Sequence, residues 1–384
     1  MKFKSRFIFL FTIFIALLFC SCDKDEPTKP SFASRTILVY MVANNSLGYG
    51  DFDKDDISEM LVASGQNDFN SGRLLIYHAP VGENPSLKEI SNGEVIIRKK
   101  YDQSTLSVTQ QRMQQVINDV KEFAPAYDYG LILWSHANGW LQNGITSNSI
   151  TKNSTKKPLT FGDDRGNGMN ITTLSDVISD EGFSFIYFDC CYMGSIEVAY
   201  ELRNATPYIV ASAAETPADG MPYDYNLPLL FADTVKLKEA CMTTFDYYNC
   251  QNGSQRSCVI SLIDTRYIDE LAQATAAIYS THPTTPKSFI PQKFTLDTNC
   301  YYFDFKQYIE ALSQNSPSLL NEWEKALDKV ILYKNQTPYM WNMLKLNYHC
   351  GLSTFILESP EYANIKNYNQ LQWWNDVANK LWDN

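Results

Sequence analysis

Residues 183 to 188 read Phe-Ser-Phe-Ile-Tyr-Phe, a continuous apolar and aromatic run. It is too short for an ordinary helix and rich in strand formers, so it predicts a strand buried on both faces. Such a strand needs a layer of structure on each side, and this limits the fold more than any other stretch. Asp189, Cys190 and Cys191 follow directly. Beyond them Met193, Ile196, Val198, Ala199 and Tyr200 recur at roughly helical spacing, with Gly194 and Ser195 loosening the first turn. A thiol between a strand's carboxyl end and a helix start is expected where N–H groups and the helix dipole stabilise a thiolate.

A second stretch has the same form. Tyr129 to Ser135, in YGLILWSHANGW, predicts another buried strand that ends at His136. Of the four histidines in the chain, this is the one placed at a strand's carboxyl end before a loop. If both strands share one parallel sheet, His136 and Cys191 leave it on the same rim, as a cysteine nucleophile and its base require. Taken singly, each residue has a plainer reading: Cys191 as a buried structural cysteine, His136 as a satisfied core histidine.

The remaining elements support a parallel sheet. Thr36 to Ala43 and Arg73 to His78 read as strands, and Asp55 to Val62 and Ser104 to Phe123 as helices, the second amphipathic through Leu106, Val108, Met113, Val116, Ile117 and Val120. Glu94 to Arg98 suits an edge strand. Strands alternating with helices mean parallel pairing and right-handed crossovers. Pro207 to Ala213 and Cys258 to Ile263 read as further strands, with residues 215–225 (ETPADGMPYDY) as the loop between sheet and next element.

At these residues the chain resembles the clostripain family of cysteine peptidases, in the caspase-like group. Members carry a strand ending in Ser-His-Gly and a later one ending in Asp-x-Cys-x-Met-Gly. Here these stand as Ser135-His136-Ala137 and Asp189-Cys190-Cys191-Tyr192-Met193-Gly194. The resemblance extends to Val39 to Leu47 (VYMVANNSL) and to Gly351 to Phe355 (GLSTF), and so spans nearly the whole mature chain. It implies an α/β fold, a caspase-like three-layer α/β/α sandwich with a mostly parallel central sheet, plus a smaller carboxyl-terminal subdomain. It also implies a cysteine endopeptidase that cuts after Arg or Lys in protein or peptide substrates, through a Cys–His dyad of Cys191 and His136.

By the same resemblance the backbone N–H groups of Ala137 and Cys191 form the oxyanion hole, and Asp189 and Asp219 receive the substrate's basic side chain. Ala137 stands where the family usually has glycine. If that position demands positive φ, alanine costs on the order of 1 kcal/mol. Cys190 is the rival nucleophile, but strand alternation points Asp189 and Cys190 to opposite faces, which suits packing for Cys190. Asp189 also reads as a helix cap, and Asp219 as a turn residue before Gly220.

Family members often cut themselves between the His and the Cys, after a basic residue. The polar stretch at 144–158 (GITSNSITKNSTKKP) lies there, and Lys152 and Lys156 in the 146–157 loop are the candidates, since Lys157 precedes Pro158. Incidental lysines in a solvated loop are the plainer reading. FGDDRGNGMN (161–170) carries paired aspartates but misses the EF-hand spacing, so no metal site is assigned and it is expected as a turn before a Thr172 to Ile178 helix. No cofactor is required; calcium use by some family members keeps that ion as an expectation to test.

At the amino terminus Lys2, Lys4 and Arg6 precede an apolar stretch from Phe7 to Phe19, a secretory signal in charge and length. Ser21 before Cys22 resembles a bacterial lipoprotein cleavage site, with Cys22 lipidated; Asp23 to Glu26 resemble the acidic signal of some surface-displayed lipoproteins, a merely polar linker being the plainer reading. The expected organisation is a signal peptide over 1–21, a tether over 22–34, a peptidase core over 35–280 and the subdomain over 281–384. The chain is thus expected to be exported and held at the outer membrane, exposed at the cell surface, by a lipid anchor only. A net charge of -11 argues against a nucleic-acid partner. Seven cysteines follow Cys22, without CxxC pairs, so a zinc site is not expected and at least one thiol stays free. Two rival readings are a glycan- or protein-binding surface lipoprotein, suggested by 14% aromatic content, and an inactive peptidase relative, suggested by Ala137.

Overall fold

The computed structural model describes residues 32–141, 160–284, 289–297, 301–365 and 367–382. Cys22, Lys152 and Lys156 lie outside the described residues.

Nine strands form one sheet in the order β12-β10-β9-β8-β5-β1-β2-β3-β4. Its middle is parallel. β1 (Thr36–Val42) lies between β2 (Arg73–Ala79) and β5 (Tyr129–Trp134), β5 pairs with β8 (Phe183–Asp189), and β8 with β9 (Tyr208–Ala211). These are the strands the apolar runs predict. Both edges are antiparallel: β3 (Ser86–Ser91) and β4 (Glu94–Lys100) fold back on β2, while β10 (Val259–Asp264) and β12 (Ile331–Gln336) extend the sheet beyond β9. β4 is the edge strand expected from the sequence, but β3 and β12 were not. Two short strands, β6 (Phe161–Asp164) and β7 (Asn167–Met169), make a hairpin, and β11 (Phe303–Asp304) pairs with Ser353–Thr354.

Strand alternation sorts the sheet's side chains into two buried layers. Val39, Met41, Ile132, Trp134, Phe185 and Tyr187 face α2 (Phe52–Gln66), α6 (Tyr223–Leu230) and α7 (Leu237–Asn249). Leu38, Tyr40, Leu131, Leu133, Ile186 and Phe188 face α3 (Gln110–Phe123), α4 (Ile171–Ile178), α5 (Ile196–Glu201), α8 (Ile268–Tyr279), α9 (Phe305–Leu312) and α10 (Pro317–Val330). Each fully buried aliphatic or Phe side chain contributes about 1.5–3 kcal/mol relative to exposure. The product is a three-layer α/β/α sandwich around a mostly parallel sheet. No helix among the described residues is long and apolar enough to cross a membrane.

Several boundaries move for local reasons. The helix expected from Ser104 starts at Gln110, because the Thr109 hydroxyl accepts from Arg112 N–H and caps it there. The 215–225 loop ends early, since Tyr223 already opens α6. The paired aspartates of 161–170 belong to the β6–β7 hairpin: Asp163 accepts from Gly166 N–H, and Asp164 accepts from Ser107 N–H and the Asn44 amide. Residues 32–34, at the end of the expected tether, are docked, with Ala33 N–H donating to Pro125 C=O at 2.8 Å.

The stretch expected as a carboxyl-terminal subdomain shares one compact unit with the rest of the described chain. β12 completes the sheet, and Trp323, Phe305 and Trp373 are buried in the same core layer as Phe188 and Ile196. A buried carboxylate ties the two together: Glu197 on α5 accepts from Phe355 N–H at 2.8 Å and from the Thr354 and Tyr368 hydroxyls, each at 3.0 Å.

Candidate active site

Trp134 and Asp189 are partners in the β5–β8 register. His136 and Cys191 each stand two residues further on, so both leave adjacent strands at one rim, where neighbouring strands lie about 4.8 Å apart. Ser135 fixes the exit of β5, its hydroxyl donating to Val42 C=O at 2.7 Å and accepting from Asp163 N–H at 3.0 Å. The structure therefore brings the two predicted chemical groups to a common edge.

His136 is half-buried, and its Nε2 shares a 2.7 Å hydrogen bond with the Ser46 hydroxyl. Ser46 opens the short α1 (Ser46–Tyr49), whose first turn is capped by the Asn45 side chain accepting from Leu47 N–H. Sequence reasoning missed Ser46; nothing but proximity marks it.

Cys191 is free and half-buried. Its sulfur accepts from Thr216 N–H at 3.3 Å and donates to Thr216 C=O at 3.9 Å. The expected helix-dipole support is absent, because α5 starts only at Ile196, with Ser195 as its cap, and Cys191 sits in the preceding turn. Burial instead pushes the thiol up to about 12, against the lowering effect of Thr216 N–H, and Glu215 and Asp189 add to the rise. Cys190, also free, is buried with Phe188 and Ile196 in the layer against which Cys191 packs, opposite to Asp189.

Tyr192 carries the turn at φ 62, donates its N–H to Ala214 C=O and stacks on Tyr302 at 4.4 Å between ring centroids. Gly139 approaches this turn: at φ 57, a Cβ there would lie 2.8 Å from Tyr192 C=O. Ala137, by contrast, is outside the left-handed region. The strain expected for alanine is not present, because the glycine-only conformation falls at 139. Ala137 faces Phe161 in a bridge whose hydrogen bonds are made by His136 C=O and Asn138 N–H. The N–H groups of Ala137 and Cys191 have no acceptor among the described residues.

Asp189 is buried on the α2/α6/α7 side. Its Oδ2 accepts from Met221 N–H at 3.1 Å and from the Tyr223 hydroxyl at 2.9 Å. Burial raises its carboxyl to about 6, against the pull of those two bonds. Asp219 is exposed and immediately precedes Gly220, whose backbone lies against Asp189. A narrow cavity beside Thr216 is lined by Asp189, Pro217, Gly220, Met221 and Tyr248. Two further carboxylates from α2 reach this region and were missed. Asp56 accepts from Trp134 Nε1 at 2.5 Å, and Glu59 accepts from Tyr223 N–H at 2.9 Å. Burial raises the Glu59 carboxyl to about 7. A signal existed: Asp53 and Asp56 fall on the same helical stripe as buried Met60 and Ala63.

The sequence model of the clostripain family matches residues 39–378. No curated protein matches the chain. Among solved structures, an inactive zymogen C11 protease from Parabacteroides distasonis is 28% identical, with 91% of this chain and 99% of that one covered at a TM-score of 0.77. A secreted C11 cysteine protease from Bacteroides thetaiotaomicron, bound to an irreversible peptide inhibitor, is also 28% identical, covering 90% of this chain and 98% of that one at a TM-score of 0.77. A further Bacteroides thetaiotaomicron secreted C11 cysteine protease is similar in fold, with a TM-score of 0.80 at 23% identity, covering 90% of this chain and 100% of that one.

Proposed function

The chain belongs to the clostripain family and is a cysteine peptidase, and from that premise we propose that it cuts peptide bonds after Arg or Lys, with Cys191 as nucleophile and His136 as its base. The observation that carries this is the Trp134–Asp189 pairing, which sets both groups on one rim.

In the proposed reaction substrate enters beside Thr216 and His136 accepts the Cys191 proton. The thiolate attacks the scissile carbonyl, forming a C–S bond. The C–N bond then breaks and the imidazolium returns the proton to the leaving amine. Water hydrolyses the acyl-enzyme by the same route. The N–H groups of Ala137 and Cys191, without an acceptor among the described residues, are suited to the developing oxyanion, a donor there typically supplying about 2.7–4 kcal/mol. Asp189, aided by Asp219, receives the substrate cation; a charge-assisted contact in a buried setting discriminates against neutral side chains. The reaction uses no cofactor, and calcium enters only as an assay variable.

Self-activation after Lys152 or Lys156 is part of the proposal, supported by the loop's place between His136 and Cys191 and by the zymogen state described for the Parabacteroides relative. So are export, Cys22 lipidation and surface display, supported by the amino-terminal sequence and by the secreted relative.

The test uses purified protein and amide substrates ending in Arg, Lys or citrulline, under reducing conditions with and without calcium. Turnover should be confined to Arg and Lys, vanish in Cys191→Ala and persist in Cys190→Ala. Loss in Cys190→Ala with survival in Cys191→Ala would assign the other thiol, and no turnover by wild type would remove the reading. Intact mass after storage reads self-cleavage, which should be absent in Cys191→Ala. Fatty-acid labelling of wild type against Cys22→Ala reads the anchor.

A further inference from the structure

We propose that Asp56 determines specificity in this peptidase: with Asp189 it makes a two-carboxylate floor that takes the substrate cation in exchange for a proton. The proposal rests on the Arg/Lys reading above and adds a second charge, from α2, to the pocket.

Three observations place Asp56 there. Trp134 links the pair, since its backbone pairs with Asp189 and its indole N–H donates to Asp56 Oδ2. Gly220, at φ +64, separates the carboxylates: an atom at its Cβ position would lie 2.8 Å from Asp189 Oδ2 and 3.2 Å from Asp56 Oδ2. The two oxygens are thus within about 6 Å of each other, close enough for like charges out of water to interact strongly. Both residues are buried, at 2% exposure for Asp56 and 5% for Asp189.

Among the described residues no Lys or Arg pairs with either carboxylate. Facing the pair are Glu59 on the same helix, itself near Asp224, Asp219 on the loop, Tyr223 on α6, and Tyr248 on α7, whose hydroxyl donates to Gly220 C=O. No Lys or Arg is among them. Burial, then the Asp189 charge, drives Asp56 toward its neutral form. Two buried anions without a cation are unfavourable, so the empty pocket holds a proton. An arriving guanidinium or ammonium supplies the missing charge, both carboxylates ionise, and that proton leaves to solvent. Arg or Lys then binds less well as pH falls.

The test measures KM and kcat against pH for Arg-ended and citrulline-ended amides, in wild type, Asp56→Asn and Asp189→Asn. Asparagine keeps an acceptor for Trp134. In wild type, KM for the Arg substrate should rise about tenfold from pH 8 to pH 5.5, as a proton competes with the cation. In Asp56→Asn that rise should flatten: KM is higher than wild type at pH 8, equal or lower at pH 5.5, with kcat unchanged. Asp189→Asn should lose the Arg preference throughout. Parallel KM–pH curves for wild type and Asp56→Asn would overturn the proposal while leaving the Arg/Lys reading intact; equal use of Arg and citrulline by wild type would overturn the reading itself. Should Asp56→Asn not fold, calorimetry on the Cys191→Ala chain decides. At pH 6.5, in buffers of different ionisation heat, an Arg-ended peptide should release about one proton more than its citrulline analogue, and no difference would overturn the proposal.

Discussion

The Cys191 sulfur is held by both backbone polar groups of one residue, Thr216, accepting from its N–H and donating to its carbonyl. With burial raising the thiol to about 12, the resting protein keeps Cys191 protonated at neutral pH. Alkylation by iodoacetamide at pH 7, followed by peptide mapping, should therefore run at least about a hundredfold slower at Cys191 than for a free thiol, and still be climbing at pH 10. A rate that levels off near pH 7 would contradict this.

Ser46 holds the Nε2 of His136 and stands in no other part of the proposed chemistry. Ser46→Ala should lower kcat by about three- to thirtyfold with KM little changed, because a loosely held base is seldom in register, and Ser46→Thr should recover part of it. An unaltered kcat would show that His136 is oriented by other contacts.

Gly220→Ala meets two obstacles, a left-handed backbone and the Asp189 carboxylate. Gly182→Ala is the control, since at φ +73 it shares the backbone constraint with nothing within 4 Å. Both should lose about 1–2 kcal/mol from the backbone. Gly220→Ala should lose more in thermal unfolding, and raise KM for an Arg-ended substrate where the control does not.

Asp189 is a case where function opposes stability. Its folded carboxyl sits near 6 against 3.8 for the ordinary group. The unfolded chain thus ionises first, stability falls as pH rises between those values, and the deficit persists above them. Asp189→Asn should be more stable than wild type at pH 8, by about 1–3 kcal/mol, and nearly equal at pH 4, in denaturant titrations. A variant less stable at pH 8 would mean the carboxylate is better compensated than its two donors imply.

The sequence made the parallel middle of the sheet legible because strands buried on both faces, such as Tyr129–Trp134 and Phe183–Asp189, must be continuously apolar. The half-exposed edges carry no such run. β3 reads Ser-Leu-Lys-Glu-Ile-Ser, and its only local signal is the Asn92-Gly93 turn, both residues at positive φ, that joins it to β4. β12 and α10 were hidden for the same reason, their apolar residues being spaced among Lys, Asn and Glu. At the rim, His136 and Cys191 could be read from strand ends, whereas Ser46, Thr216 and Asp56 owe their place to contacts across long separations in the chain. The thiol's burial, which reverses the expected dipole effect, comes with packing on residues distant in the chain, Thr216 among them, and so was equally invisible.

Glu197, on the helix that follows Cys191, draws donors from far along the chain, at Thr354, Phe355 and Tyr368. A polypeptide released by the ribosome before those residues would have to bury that carboxylate bare, at a cost of several kcal/mol. The segment behind the nucleophile then has no favourable seat. Synthesis thus carries its own checkpoint: an unfinished translation product is denied the seating of its hydrolytic machinery until the tail end of the message has been read.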